Sequence, residues 1–461
     1  MIIMLEPGRG VLHLLKSRIS TRFQMCKRYG SSWKKRMLKK QDQKEDIFHY
    51  VGENAKRTDR VYVWGCASTG ALGIKTYMKP EKNQIPLTSM HRPARLRFLD
   101  IHDIKVTDVS CGYGFTLFVT KSRRGHRVFG TGVNTDSQIG FHEMPRNSGR
   151  ILDYLIEPSM IDLPLLHPES TRVLQVSCGR AHSLLLSDRE GVFALGNNAY
   201  GQCGRPIVDG ELYRQSPAVH KVKDLPENIC KVHCGQDHSL FLTESGELYS
   251  CGLGADGQTG LNNFMSVGRV QQVEGDIEGT KIVDVMGKGD CTLALSEEGQ
   301  LFAWGNSEYG QLSMVTDHTQ VNVARCLPVQ NCGKVIKAAA GGSICALLND
   351  KGEVYVWGFG ILGKGPKLES SVTPTQIPGI LFGRNELQPD TIVVDICCGL
   401  NYFAALTDKG DIYTWGRNKL GCLGLSHRND QYFPLKVNLP GDVNTISCGV
   451  DHMAALAKSY S

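Results

Sequence analysis

The chain has 461 residues, 41% hydrophobic and 21% charged, with 51 glycines and 8% aromatics, a balance that fits a globular protein with a sizeable core and many turns. No run of 18 or more apolar residues occurs, so no transmembrane segment is expected. Residues 1–40 hold 11 Lys/Arg against the single acid Glu6, so the formal charge of +6 hides a remainder of 41 basic and 45 acidic residues, which excludes the global basic excess of a duplex-binding domain.

In chain order the first element is a leader. Leu12, Leu15, Ile19 and Phe23 recur near helical spacing with Lys16, Arg18 and Arg22 between them, the pattern of a basic amphipathic helix. An acid-poor, basic amino terminus predicts a mitochondrial targeting segment over 1–45. A disordered basic tail or a nuclear signal is the alternative reading. The apolar stretch from Val11 to Leu15 is too short for a secretory signal. Residues 46–59 read as a linker of mixed charge.

From residue 60 the sequence repeats itself. One unit is a short β-rich run ending in Gly, then a loop, then, in most copies, another Gly. It occurs at 61–73, 128–140, 192–204, 248–260, 301–313, 354–365 and 412–424, as in VYVWGCASTGALG and IYTWGRNKLGCLG. A second unit alternates with it: an apolar run, Cys-Gly, a few variable residues, and a second apolar run. Its copies lie at 109–119, 176–186, 232–242, 285–295, 338–348, 396–406 and 446–456, as in VSCGRAHSLLL and ISCGVDHMAAL. The fourth copy has Gly287-Lys288 in place of Cys-Gly, and the fifth has Ala340 in place of Cys.

The first-unit glycines are spaced by 53 to 67 residues, room for four short strands, which is one propeller blade. The predicted fold is therefore all-β, a seven-bladed β-propeller over 60–458. The chain starts with a first unit and ends with a second, so residues 446–456 are expected to pair with 61–64. That pairing of N- and C-terminal strands closes the ring and removes a free sheet edge. The Cys-Gly pair suits an inner strand crowded at the axis, and Trp64, Trp304, Trp357 and Trp415 suit packing between blades. The 16 cysteines follow no zinc or disulfide spacing; Cys111, Cys178, Cys234, Cys398 and Cys448 read as one small buried residue reused, which suits a reducing compartment.

These fourteen alternating motifs resemble the regulator of chromosome condensation repeat family over about 60–457, and VLQVSCGRAHSL, CGQDHSLFLT, GADGQTGL and GILGKGP look like its mitochondrial branch. The resemblance implies a seven-bladed propeller in the mitochondrial matrix, with peripheral association at the inner membrane. It also implies guanine-nucleotide exchange on the dynamin-like GTPase of inner-membrane fusion. The alternative it implies is a scaffold in assembly of the mitochondrial large ribosomal subunit, touching ribosomal RNA and the pseudouridylation factors. No cofactor, metal or chemical active site is implied.

In that family, acidic and His side chains in the variable slots after the inner-strand Gly contact the GTPase. Here the slots carry Arg180, His182, Gln236, Asp237, His238, Asp290, Asn401, Asp451 and His452, the candidate partner-binding residues. The competing reading is structural, with an Asp-His pair holding its own turn. Tyr113, Gly114 and Phe115 in the first copy, and Ser343 and Ile344 in the fifth, break the polar pattern.

Two G-x-G-x-x-G matches, at Gly252–Gly257 and Gly358–Gly363, lie in register with the repeat and precede no long helix, so they are not nucleotide motifs. Lys364 completes most of a phosphate-binding loop, but Gly365 stands where Ser/Thr is required. Neither H-E-x-x-H nor G-x-S-x-G is present. Segments 74–107 and 141–172 depart furthest from the repeat and hold Arg92, Arg95, Arg97, Arg146 and Arg150. They are blade-edge loops or partner-binding insertions.

Overall fold

The computed structural model describes residues 57–460 apart from 81–83, 103, 123–124, 144–151, 215 and 330. The leader expected over 1–45, most of the linker, and Arg146 and Arg150 lie outside the described residues. Seven four-stranded antiparallel sheets follow one another around an axis. In the first complete blade β3 (Lys105–Cys111) is innermost, followed outward by β4 (Phe115–Ser122), β5 (Gly125–Val133) and β6 (Tyr154–Ile161). Blades two to six repeat this plan as β7 to β26, between Val173 and Lys436. Two short helices, α1 (Lys75–Met78) and α2 (Arg97–Ile101), both fall in the long insertion after the first unit. Among the described residues no helix is long and apolar enough to cross a membrane.

The seventh blade is built from both ends of the chain. Its order is β2 (Ser89–Arg95), β1 (Arg57–Cys66), β28 (His452–Tyr460) and β27 (Asp442–Cys448). The closing register runs without a break from Arg57 opposite Tyr460 to Gly65 opposite His452. Sequence spacing put the amino-terminal side of the closing pair at residues 61–64; strand pairing begins earlier, at Arg57, beside the Arg57–Asp442 ion pair. Only the second half of the last unit pairs with the amino-terminal strand, because its first half, β27, is the inner strand of the same sheet.

The first-unit glycines explain themselves at one hydrogen bond. Gly65 has φ +105, and a Cβ there would stand 2.4 Å from the Asp451 carbonyl oxygen. The same carbonyl accepts the Cys66 N–H at 2.8 Å. Asp237 and Leu253, and Asn401 and Arg417, repeat that bond at 2.9 Å. Only a residue without Cβ reaches this conformation and this approach together, and the strand bulges at each site.

The core lies between neighbouring sheets. Leu293, Leu301 and Ala303 of blade four meet Ala338, Leu347 and Trp357 of blade five. Val61, Val63 and Leu456 of the closing blade meet Val109 and Phe118 of blade one. Trp64, Trp304 and Trp357 are fully buried and donate Nε1–H to Cys422, Gln258 and Gln311 carbonyls of the preceding blade, at 2.8 to 2.9 Å. Each indole thus fills a seam and satisfies its one polar atom.

Closure has a direct test. A chain ended at Asp451 lacks β28, the strand joining β1 to β27. It should lose the cooperative thermal transition followed by circular dichroism, whereas removing only Tyr460 and Ser461 should leave the melt close to that of the full chain. A full-height transition in the shorter chain contradicts a closed ring.

Candidate functional site

Each inner strand ends at the same rim of the disc and turns through a short loop into the second strand. Backbone crowding shapes these loops. A Cβ on Gly399 would lie 2.5 Å from Gly449 O, and one on Gly449 would lie 2.8 Å from Gly112 O. Blade to blade, the loops therefore touch through bare backbone. Their N–H groups also cross the seams, with Arg180 N donating to Gln236 O at 2.9 Å and Gly342 N to Leu400 O at 2.7 Å. Side chains that leave this ring face either the next blade or the open rim.

The structure divides the expected site residues. His182, His238 and His452 are fully buried, which corrects their reading as partner contacts. Each is the first residue of the second strand, and its side chain turns into the seam. The Nε2 atoms lie 3.1 Å from Ser239 Oγ, 3.0 Å from Thr292 Oγ1 and 2.8 Å from Thr116 Oγ1, all on the following blade. Ser239 Oγ donates to Gln202 O and Thr116 Oγ1 to Ala71 O, so both accept from the imidazole N–H. Burial pushes His182 down to about 3 and His238 to about 4, which keeps both neutral. Burial opposes charge on His452 as well, but Cys111 and Asp451 outweigh it and raise its pKa.

Asp237 is buried too, clamped by Arg180 of the preceding blade at 2.8 Å. Arg180 and Asn401 remain exposed, and Asp290 and Asp451 are half-buried. Those four face the rim. Thr116, His452 and Asp451 mimic a hydroxyl–imidazole–carboxylate series, with His452 Nδ1 3.6 Å from Asp451 Oδ1. Thr116 and His452 are sealed from solvent, so the group serves packing and has no route to a substrate.

Two departures from the repeat meet on the axis. Lys288 Nζ crosses to donate to Cys111 O at 2.5 Å. The Tyr113 hydroxyl lies 2.8 Å from Gln236 Oε1 and 3.0 Å from Lys288 O. Together they plug the axis at this rim. Deeper along the axis, Asp284 is flanked by Lys231 and by Lys337 at 3.2 Å. Burial pushes Lys231 down to about 7 and Asp108 up to about 6. The repeat pattern did not single out these inner-strand charges.

Around the plug the rim has three sectors. Asp237, Asp256 and Asp290 make an acidic sector on blades three and four, with Asp256 accepting from Asn306 and Gln320 and Asp290 from Gln258 at 3.2 Å. Next to it Tyr309 and Phe359, 48% and 45% exposed, stack with ring centroids 5.9 Å apart. Beyond the aromatic pair, Arg417, Lys419 and Arg428 form a basic sector at the seam of blades six and seven. Arg428 donates to His91 Nε2 at 2.9 Å and to Ser89 Oγ at 3.1 Å. Tyr309 and Phe359 escaped notice in the sequence because they occupy the variable part of the first unit.

Comparison with known proteins matches this architecture throughout. The RCC1-like domain model matches residues 55–387, and the regulator of chromosome condensation (RCC1) repeat model matches 393–422 and 409–456. A mouse RCC1-like G exchanging factor-like protein is 51% identical over 417 residues, covering 90% of both chains. The crystal structure of human WBSCR16 is 50% identical, with a TM-score of 0.81, and covers 88% of this chain and all of that one. Yeast RCC1 (Prp20), solved with Kap60, shares the fold at 19% identity and a TM-score of 0.70, covering 91% of this chain and 95% of that one.

The acidic sector makes stability depend on pH. Burial, then Asp256 and Asp237, raise Asp290 to about 6. The folded state therefore holds this proton more tightly than the unfolded state. The contribution of Asp290 to stability is full below the unfolded value near 3.8 and is lost as pH rises through 6. Asp290→Asn should stabilise the protein at pH 7.5 by roughly 1–3 kcal/mol and by little at pH 4, measured by denaturant titration. Equal shifts at both pH values contradict the assignment.

Proposed function

Because the chain belongs to the regulator of chromosome condensation (RCC1) repeat family, we propose that it is a propeller exchange factor whose plugged rim engages a GTPase. The partner in this reading is the mitochondrial dynamin-like GTPase of inner-membrane fusion. The protein acts in the matrix, associated peripherally with the inner membrane. The basic, acid-poor first 40 residues support that location.

The observation that carries the reading is the rim itself. Arg180, Asp290, Asn401 and Asp451 stand on loops tied to one another by backbone hydrogen bonds across the seams, so they present a fixed charge pattern. Exchange makes and breaks no covalent bond. It requires a surface that binds the nucleotide-free GTPase better than the loaded one, and a rigid surface pays little ordering entropy in doing so. The aromatic pair Tyr309 and Phe359 supplies apolar area of the kind that anchors interfaces.

The test is release of fluorescent GDP from the purified GTPase. Saturating protein should speed release by about tenfold or more, equivalent to about 1.4 kcal/mol off the barrier. Asn401→Arg combined with Phe359→Ala, both at exposed positions, should cut that gain by most of its value without lowering Tm. No acceleration at saturation removes this reading.

A second reading, a scaffold on ribosomal RNA and pseudouridylation factors in large-subunit assembly, is favoured by the basic sector. Arg417, Lys419 and Arg428 are exposed on blade six, which also exposes Tyr432 and Phe433, and a blade that offers both cations and aromatics suits single-stranded RNA. Crosslinking in mitochondria should then recover ribosomal RNA, and changing the three cations to Glu should abolish recovery. Unchanged recovery, or none from the native protein, counts against it.

A further inference from the structure

At each seam the next-to-last residue of one inner strand lies against the Cys position that ends the next. Where that residue is Ser, its hydroxyl accepts the backbone N–H of the facing Cys. Ser110 takes Cys178 N at 3.1 Å, Ser177 takes Cys234 N at 2.8 Å, and Ser447 takes Cys111 N at 3.0 Å. Between blades six and seven the residue is Cys397, on β23 (Val393–Cys398), and it faces Cys448 on β27. Two thiols meet there, with Sγ atoms 2.6 Å apart. Both are free cysteines; Cys397 is half-buried and Cys448 buried.

We propose that Cys397 and Cys448 are a reversible oxidation site that forms a disulfide across the ring-closing seam. A hydroperoxide, represented by hydrogen peroxide, is the oxidant, small enough to reach a narrow axis. The Cys397 thiolate attacks one peroxide oxygen; the O–O bond breaks, and hydroxide leaves to become water with the proton shed by the thiol. Cys448 sulfur then attacks the Cys397 sulfenic acid. The S–O bond breaks, a second water leaves with the Cys448 proton, and the S–S bond remains. Two electrons pass from the two thiols to the peroxide. Burial and its sulfur neighbour push the Cys448 thiol well up, so Cys397 attacks first and Cys448 resolves.

The site is specific to this seam. Cys291 and Cys345 are also within hydrogen-bonding reach across a seam, but both are fully buried, so peroxide does not enter. The expected link would tie β23 to the blade that holds both chain ends. It would also couple the rim loops bearing Asn401 and Asp451, which directly follow these strands.

The experiment uses the full chain titrated with hydrogen peroxide, quenched, alkylated in denaturant and digested. The expected product is a single Cys397–Cys448 linked peptide short of two hydrogen atoms, reversed by dithiothreitol, with a rise in Tm of a few degrees. Cys397→Ser and Cys448→Ala should fold, since Ser and Ala occupy the equivalent positions at Ser110 and Ala340, and neither should link or gain Tm. Sulfinic acid on Cys397 without a linked peptide, two alkylated thiols after treatment, or a link at Cys291–Cys345 instead would overturn the proposal.

Discussion

Seven sheets share one axis here because six of the seven inner strands lead into a glycine at the turn, Lys288 taking that place in blade four. Where those strands turn, the chain of one blade touches the carbonyl oxygen of the next, as Gly399 does against Gly449 and Gly449 against Gly112. A methyl group at either place would overlap backbone, and backbone cannot move aside without opening the ring. Most of the remaining structure follows from that approach. It brings the loop N–H groups within reach of the neighbouring loop. It also places the imidazoles against hydroxyls on the following blade, and it forces the other side chains of the loop out to the rim.

The departures from the repeat gain meaning from the same constraint. Lys288 stands where other blades have glycine, and its ammonium crosses the axis to Cys111 O. Tyr113, a departure on the opposite side of the ring, packs onto the Lys288 carbonyl. The ring tolerates the extra side chain because both residues share the one open space it encloses. In the closing blade, nine consecutive pairs between β1 and β28 join the chain ends, so the disc has no sheet edge at its seam.

The blade count, the closing pair and the seam tryptophans were all legible in the sequence, because each glycine and Cys-Gly marks a backbone requirement that recurs seven times. The slots were legible as positions but not as directions. His182, His238 and His452 are polar, and polarity suggested solvent; yet each begins a strand, and strand alternation turns it inward. A signal for this was present. Each of the three precedes a blade with a hydroxyl at the facing position, Ser239, Thr292 or Thr116. Where the slot holds Cys291, Ile344 or Tyr402 instead, the facing residue is Cys345, Phe403 or Met453; Phe115 alone departs from the pairing, since it faces Ser183. Tyr309 and Phe359 were not legible, since their stacking joins loops of two blades that no repeat aligns.

The proposed GTPase contact falls where this fold leaves freedom, at a rim that carries acidic, aromatic and basic sectors on loops held by backbone bonds. The opposite rim offers tight hairpins such as Thr243–Glu247 and Thr407–Asp411, closed on themselves. The most direct measurement is amide hydrogen exchange on the protein with and without the proposed GTPase in its nucleotide-free form. The account predicts that added protection is confined to the plugged rim, in loops 112–114, 179–181, 289–290, 306–319 and 399–401. Protection gathered instead on the hairpins of the opposite rim would contradict it.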